Sequence, residues 1–198
     1  MSDRSDLEVI ASLVPPGSRV LDLGCGTGEL LAYLRDHRSC SGYGIELADA
    51  NVHACVQRGI DVIQLNLEDG LALFDDQSFD VVLQLDTLQN LRNTENMLRE
   101  TARVGRIGVV SFPNFAHWPN RLHVLRGRMP ITRALPYQWY DTPNIRVGTY
   151  SDFEVLAGRL GLGVSDSFGL QAGRVVRRWP NLLASVAVFK FERRQAPR

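Results

Sequence analysis

The segment Val20-Leu-Asp-Leu-Gly-Cys-Gly-Thr-Gly-Glu29 joins a short apolar run, a loop with three glycines and the first turn of an amphipathic helix. Backbone N–H groups in such a loop can approach a ligand closely, because glycine has no Cβ and tolerates positive φ angles. The N-terminus of the following helix adds a positive electrostatic field at the same place. The segment therefore predicts a strand, a glycine-rich loop and a helix that together form a ligand cradle.

Apolar runs that alternate with amphipathic stretches extend this pattern through the first half of the chain. The predicted strands are Arg19–Gly24, Gly42–Leu47, Asp61–Leu65, Phe79–Leu85 and Arg106–Phe112. The predicted helices are Val9–Val14, Glu29–Asp36, about 49–58 and, capped by Thr94, about 94–104. Strands that alternate with helices are typical of stacked βαβ units, so we expect an α/β, doubly wound fold with a mostly parallel sheet.

A long irregular segment separates this half from the C-terminal elements. Residues 113–148 contain five prolines and two tryptophans, and they are far more numerous than the few residues that usually connect two elements. Beyond them, Ser151-Asp-Phe-Glu154 has the form of a capping box and predicts a helix to about Leu160. Val164–Leu170 and Leu182–Phe191 are the last predicted strands. We expect one domain over 1–198, with an insertion or lid at 113–148.

Composition excludes several classes of protein. The chain has 198 residues, of which 44% are hydrophobic and 22% charged, as in an ordinary globular domain. No apolar run approaches the roughly 20 residues that a membrane-spanning helix needs. The N-terminus is polar and acidic, unlike a secretory or transit peptide. Three cysteines without a CxxC pair argue against a zinc site and a disulfide framework, so we expect a cytoplasmic protein without a metal site.

The net charge of zero conceals a segregation of sign along the chain. Residues 1–100 carry 7 Arg and 17 acidic residues, whereas residues 101–198 carry 14 Arg and 1 Lys against 5 acidic residues. Arginine suits bidentate contacts with carboxylates and phosphates. This segregation indicates a face for an anionic partner, but basic charge without a recognisable binding motif does not predict a nucleic-acid partner.

Three acidic side chains indicate which nucleotide-type ligand the loop would accept. The dinucleotide pattern G-x-G-x-x-G/A would need a small residue where Glu29 stands. Asp22, two residues before the first glycine, would repel a pyrophosphate but would attract an ammonium group. Glu46, at the end of the second predicted strand, lies where a ribose diol would be held. S-adenosylmethionine combines an ammonium group with a ribose and carries no phosphate.

The first half resembles the class I S-adenosylmethionine-dependent methyltransferases over residues 7–112. The matching features are Asp22-Leu-Gly-Cys-Gly-Thr-Gly28, Gly44-Ile-Glu46, Leu65-Asn-Leu67 and Ser78-Phe-Asp-Val-Val-Leu83. The resemblance implies S-adenosylmethionine or S-adenosylhomocysteine as the cofactor. It also implies a Rossmann-like sheet of seven strands in the order 3-2-1-4-5-7-6, with the last strand antiparallel.

Carried over residue by residue, the resemblance assigns ten positions to the cofactor. Four of them would surround the methionine moiety: Asp22, Gly24, Cys25 and Gly26. Glu46 would hold the ribose hydroxyls and Leu47 would pack on the adenine. Asn66 and Leu67 would lie at the adenine edge, where the family usually has Asp in place of Asn66. Gln84 and Leu85 would line the cofactor near the sulfonium.

The sequence assigns no catalytic residue. The segment Gln84-Leu-Asp-Thr-Leu-Gln-Asn90 lacks the Pro-Pro-Tyr/Phe element associated with methylation of amino groups, and no Pro-Cys pair of the cytosine type occurs. Asp86 could act as a base, but a capping or solvated carboxylate is the commoner case. Tyr137, Trp139 and Tyr140 could wall an acceptor pocket or anchor an interface.

The second half resembles the MetW family of methionine biosynthesis proteins. The segments that carry the resemblance are Ser111-Phe-Pro-Asn-Phe-Ala-His-Trp-Pro-Asn-Arg-Leu122, Gly127-Arg-Met-Pro130 and Leu135-Pro-Tyr-Gln-Trp-Tyr-Asp-Thr-Pro-Asn-Ile-Arg146. The resemblance implies a methyltransferase-fold protein that supports or regulates homoserine O-acyltransferase. The alternative is an active S-adenosylmethionine-dependent methyltransferase acting on an unidentified small-molecule acceptor. The sequence leaves open whether the chain forms a homo-oligomer.

Overall fold

The structure, a computed structural model, describes residues 4–193 and shows one eight-stranded mixed sheet with helices on both faces. Residues 1–3 and 194–198, the two ends of the predicted domain, lie outside the described residues. The strands are β1 Arg19–Leu23, β2 Ser41–Glu46, β3 Val62–Gln64, β4 Phe79–Leu85, β5 Gly105–Pro113, β6 Leu162–Gln171, β7 Arg174–Val176 and β8 Val186–Arg193. Their order in the sheet is β3-β2-β1-β4-β5-β8-β6-β7.

Seven helices accompany the strands in the described part of the chain. They are α1 Arg4–Ser12, α2 Glu29–Arg38, α3 Asp49–Gln57, α4 Thr94–Val104, α5 Trp118–Leu125, α6 Tyr150–Arg159 and α7 Pro180–Leu183. Helices α1, α2 and α3 contribute to the apolar core on one face of the sheet, and α4 and α6 contribute to the cores on the other. Both faces of the central strands are therefore covered, as a parallel sheet requires.

The predicted α/β, doubly wound fold is confirmed, with an addition at one edge. The pairs among β1 to β5 are all parallel, and β8 pairs antiparallel with both β5 and β6. The predicted order 3-2-1-4-5-7-6 is therefore present once β8 is counted as the seventh predicted strand. The count of seven was wrong, because the short β7 forms a hairpin with β6 that the sequence pattern did not indicate.

Several predicted boundaries are corrected by local hydrogen bonds. The expected strand Leu182–Phe191 begins only at Val186, because Pro180–Leu183 forms a helical turn. Helix α4 is capped by the Asn93 side chain, which accepts from the Asn96 N–H, and not by Thr94. The N-cap of helix α6 is Thr149, two residues before the predicted cap Ser151, because the Thr149 hydroxyl accepts from the Asp152 N–H.

The insertion over 113–148 leaves the sheet after β5 and returns to it at the same place. Asn114 and Gly148 form an isolated bridge, and the Phe115 N–H donates to the Gly148 carbonyl at 2.9 Å. The buried Asn114 amide also donates to the Ala184 carbonyl at 2.9 Å, which ties the base of the insertion to the start of β8. Between these ends the segment contains α5, which the sequence pattern did not predict.

The strand order separates the two oppositely charged halves of the chain. The half of the chain with net negative charge, residues 1–100, supplies β3, β2, β1 and β4. The half with net positive charge, residues 101–198, supplies β5, β8, β6 and β7. The two signs therefore belong to opposite flanks of one sheet. None of the helices within residues 4–193 has the length and apolarity needed to cross a bilayer.

Candidate functional site

A cleft of about 540 Å³ opens at the carboxyl ends of β1, β2 and β4. Nine of the ten residues predicted to bind a cofactor line this cleft: Asp22, Gly24, Cys25, Gly26, Glu46, Leu47, Asn66, Leu67 and Leu85. Carboxyl ends of neighbouring parallel strands meet at one edge of a sheet, and ligands of open α/β folds bind there. The sequence-predicted set is thus brought together by the fold.

Gln84 is the one predicted residue that the fold places elsewhere. It is fully buried, and neither atom of its side-chain amide has a hydrogen-bond partner within residues 4–193. Successive side chains of a strand point to opposite faces. Leu85 faces the cleft, so Gln84 faces the core beneath α4, on the same side of the sheet as Val82.

Two glycines hold the loop against its neighbours. Gly24 has a φ of +78°, and a Cβ there would lie 2.6 Å from the Thr87 hydroxyl. At Gly44 on β2, a Cβ would lie 2.3 Å from the Cys25 sulfur. Real Cβ contacts are not this short, so both positions exclude a side chain. The glycines therefore allow close packing of the loop on β2 and on the segment after β4.

Glu46 joins the glycine loop to the end of β2. One carboxylate oxygen accepts from the Gly26 N–H at 2.9 Å, and the other accepts from the N–H groups of Leu47 and Ala48, each at 2.9 Å. These three bonds fix the carboxylate in the cleft. A carboxylate has about four acceptor positions, so capacity for a ligand hydroxyl remains.

Asp22 is a buried carboxyl group without a partner of opposite charge within residues 4–193. Only 4% of the residue is exposed, and within residues 4–193 its side chain has no hydrogen bond or salt bridge. Burial, followed by repulsion from Glu46, raises its pKa to about 7. Leaving such a group unpartnered is costly, and a cation bound beside it would favour the ionised form. The cleft therefore has a built-in preference for a positively charged group at this position.

The outer wall of the cleft is less polar. Leu47 is 58% exposed, whereas Leu67 is buried at the rim. The Asn66 side-chain oxygen accepts from the Glu68 N–H at 3.0 Å and so caps a short 3-10 turn. Leu47 and Asn66 therefore contribute an apolar side chain and a fixed amide to this part of the cleft.

Cys25 and Cys55 form a thiol pair behind the loop. Their sulfur atoms lie 3.8 Å apart, and the Cys55 thiol donates to the Gly26 carbonyl at 3.2 Å. Burial and the nearby Asp22 raise the pKa of the Cys25 thiol far above its usual value. A thiol that resists ionisation is a poor nucleophile. These properties favour a packing role for Cys25 in the cleft wall over a nucleophilic one.

The segment that follows β4 contributes wall residues that the sequence reasoning did not assign to the cofactor. Asp86, Thr87, Asn90 and Leu91 all line the cleft. The Thr87 hydroxyl donates to the Leu23 carbonyl at 3.0 Å, which ties this segment to the end of β1. Asp86 has a left-handed backbone, with φ of +51°. Their position directly after a buried parallel strand was the available signal.

Comparison with known proteins agrees with this geometry. The model of the family described as methionine biosynthesis protein MetW matches residues 4–191. A bifunctional methionine biosynthesis protein MetXA/MetW from Rhodopirellula baltica is 40% identical over 95% of this chain, which covers 32% of that protein. A ubiquinone/menaquinone biosynthesis C-methyltransferase from Stenotrophomonas maltophilia is 35% identical over 50% of this chain and 43% of its own length.

Among solved structures, an S-adenosylmethionine-dependent methyltransferase from Thermotoga maritima superposes with a TM-score of 0.70 and 18% identity. The alignment covers 96% of this chain and 88% of that one, and it establishes a shared fold. This chain spans less than half the length of the bifunctional MetXA/MetW protein, and less than half that of the C-methyltransferase. On its sequence, the chain belongs to the MetW family of methionine biosynthesis proteins.

Proposed function

We propose that this chain binds S-adenosylmethionine or S-adenosylhomocysteine in the cleft and, as a cofactor-binding subunit, supports homoserine O-acyltransferase. The observation that carries the cofactor assignment is the buried, unpartnered carboxyl group of Asp22. It lies in a cleft whose other fixed carboxylate, Glu46, retains acceptor capacity. The fold of the methyltransferase neighbours and the names of the relatives support the same choice.

The residues of the cleft fit the chemistry of this nucleoside. Asp22 would hold the ammonium group of the amino-acid end, and in doing so would ionise at neutral pH. Glu46 would accept from ribose hydroxyls, while Leu47 and Asn66 would border the adenine. When bound, S-adenosylmethionine supplies a methyl group activated by its sulfonium, with the neutral thioether S-adenosylhomocysteine as the leaving group. The protein's own contribution is to bind and orient that group.

The insertion supports the proposed partner. Of the 19 large hydrophobic side chains exposed in the described part of the chain, 11 lie within residues 113–148. Trp118, Leu122 and Leu125 follow one side of α5, and Leu125 is 81% exposed. Concentrated exposed apolar groups mark interaction surfaces, and tryptophan and arginine are frequent anchors of such surfaces.

The name of the relative from R. baltica supports homoserine acyltransferase as that partner. Its printed name joins MetXA and MetW functions in one bifunctional protein, and this chain matches only 32% of its length. Two activities joined in one polypeptide are expected to act side by side. We therefore assign the exposed face of α5 and the Trp139–Tyr140 pair to contact with homoserine acyltransferase.

The alternative function is methyl transfer to a small-molecule acceptor. It is favoured by one observation: Asp86 lies on the wall of the cleft and also on the wall of a second cavity beneath the insertion. A carboxylate between two adjoining cavities could accept a proton from an acceptor group.

An activity assay separates the two functions. Homoserine acyltransferase from the same genome is assayed alone, with this protein, and with this protein plus S-adenosylmethionine. We expect acyltransferase activity to rise only when this protein is present. Accumulation of S-adenosylhomocysteine with a small acceptor, without any change in acyltransferase activity, would favour the alternative and contradict the first proposal.

A further inference from the structure

A second cavity of about 480 Å³ lies beneath the insertion, at the carboxyl ends of β4 and β5. Its walls come from the segment after β4, from the insertion and from the loops that join β6 to β8. It shares Asp86 and Asn90 with the cofactor cleft. A molecule bound in this cavity would therefore lie next to a molecule bound in the cleft.

The walls of this cavity carry charges of both signs. The Arg133 guanidinium comes from the insertion, and the carboxylates of Asp6 and Asp86 come from α1 and from the end of β4. Asp6 also accepts from the Gly173 N–H at 3.0 Å, so its position is held. Asp86 and Arg133 each engage other groups of the protein as well. The walls of the cavity thus combine one basic and two acidic residues, the residue types that recognise a zwitterionic ligand.

Two buried polar residues line the cavity, and the hydroxyl of one of them has no hydrogen-bond partner within residues 4–193. Ser111, on β5, is fully buried, and its hydroxyl has no partner within residues 4–193. The His117 residue is 7% exposed, and burial lowers the pKa of its imidazole, so the neutral ring predominates at pH 7. Buried polar groups are normally satisfied. These two groups point to a polar ligand.

The segment between the two cavities is hydrogen-bonded to the insertion. The Gln89 carbonyl accepts from the N–H groups of Ile145 and Arg146, each at 2.9 Å, and the Gln89 amide donates to the Asp86 carbonyl at 2.8 Å. A ligand that contacts Asp86 would therefore contact a residue that lines the neighbouring cleft and that is connected, through Gln89, to the insertion.

We propose that this cavity binds a small α-amino acid, with its carboxylate at Arg133 and its ammonium group at Asp86 and Asp6. The inference rests on the proposed function only in placing the nucleoside in the adjoining cleft. The size of the cavity suits a small molecule, and its mixed charge disfavours a ligand of a single sign. Because the two sites share a wall, binding in one is expected to change affinity in the other, and the change must be reciprocal.

The test uses the full-length protein saturated with S-adenosylhomocysteine, whose own binding is measured first by calorimetry. Ligand-observed NMR then screens the twenty proteinogenic L-α-amino acids together with L-homoserine. We expect at least one of them to bind. For L-homoserine the matched probes are 4-hydroxybutanoate, which lacks the ammonium group, and 3-amino-1-propanol, which lacks the carboxylate; a corresponding pair is used for any other hit. Both probes should bind at least about tenfold more weakly than the amino acid.

Two variants locate the site. Arg133→Gln should weaken amino-acid binding by about tenfold or more and leave nucleoside affinity within about twofold. Arg128→Gln is the matched control, because Arg128 is exposed on the same insertion and does not line the cavity. Loss of nucleoside binding in the wild type would contradict the proposed cofactor. A nucleoside-loaded protein that binds none of the amino acids, or binds them equally after Arg133→Gln, overturns this inference alone.

Discussion

The cleft at the carboxyl ends of β1, β2 and β4 and the insertion differ in whether their apolar residues are buried or exposed. Around the cleft, leucines from α2 and the first strands are buried beneath the glycine loop, and they hold polar groups at fixed positions. In the insertion, α5 exposes Trp118, Leu122 and Leu125. The apolar packing of the first region is complete within the chain. The second has the composition of a surface that is completed by another molecule.

A pair of leucines tests this difference most strongly. Leu34 in α2 is fully buried, whereas Leu125 in α5 is 81% exposed. Leu34→Ala should lower the free energy of unfolding by about 3 kcal/mol, because the substitution leaves a cavity in the core. Leu125→Ala should change it by less than about 0.5 kcal/mol. Chemical denaturation of both variants checks this, and equal losses would show that α5 is part of the core.

The close approach at β2 gives the next largest effect. Gly44→Ala should destabilise the protein by about 2 kcal/mol, since the new Cβ would overlap the Cys25 sulfur. Gly158→Ala in α6 is the control, because a Cβ there meets no atom within 4 Å and alanine favours a helix. We expect Gly158→Ala to raise the free energy of unfolding slightly. Thermal melts in which Gly44→Ala matches the wild type would exclude the tight packing described for the loop.

The insertion should reveal its role only when the partner is present. Combining Leu125→Ala with Trp139→Ala removes two exposed apolar side chains and should leave the melting temperature unchanged. Support of acyltransferase activity should fall by about tenfold or more at limiting protein concentration, as expected for loss of interface anchors. Titration of the acyltransferase with each variant measures this. Full support by the double variant would remove the α5 face from the proposed interface.

The pH dependence of nucleoside binding gives a smaller effect that is specific to the cleft. The pKa of Asp22 is raised to about 7 in the free protein, and an ammonium ligand requires the ionised carboxylate. Affinity should therefore rise about tenfold between pH 5.5 and 7, with proton release on binding. Above that range the α-amino group of the ligand begins to lose its own proton. Asp22→Asn should remove this dependence, and a retained pH slope would assign it to another group.

The same raised pKa has the opposite consequence for the free protein. The unfolded chain ionises this carboxyl group near pH 4, whereas the folded chain retains the proton to about pH 7. The folded state therefore binds more protons between these values, and the contribution of Asp22 to stability falls as pH rises through them. Asp22→Asn should remove that slope in the unliganded protein.

The regular strands and helices were predictable because the spacing of apolar residues within each segment indicates whether it is a strand or a helix. Nine of the ten residues that the family resemblance assigns to the cofactor line the cleft, and the residues themselves had already drawn attention to Asp22, the glycines and Glu46. Gln84 was assigned to the wrong side of the sheet, because the sequence locates the end of a strand only to within about one residue. Successive side chains of a strand point to opposite faces, so an error of one residue reverses the assignment. The hairpin of β6 with β7 was missed because its partner strand has only three residues.

The insertion was predictable as a segment but not as a structure. Its prolines indicate irregular chain, yet α5 begins with a proline in its first turn, where proline is tolerated. The walls of the second cavity bring together Asp6, Asp86 and Arg133, which are far apart in the sequence. Such a site becomes visible only when the sheet order and the path of the insertion are known.

The central claim is that Asp22 recognises the ammonium group of a nucleoside in the cleft. The most direct measurement is calorimetry at pH 7 of S-adenosylhomocysteine and of 5′-methylthioadenosine, which lacks the amino-acid end, with the wild type and Asp22→Asn. We predict that the substitution weakens S-adenosylhomocysteine binding by about tenfold or more and leaves 5′-methylthioadenosine binding within about twofold. Equal affinity of S-adenosylhomocysteine for the two proteins would contradict the account.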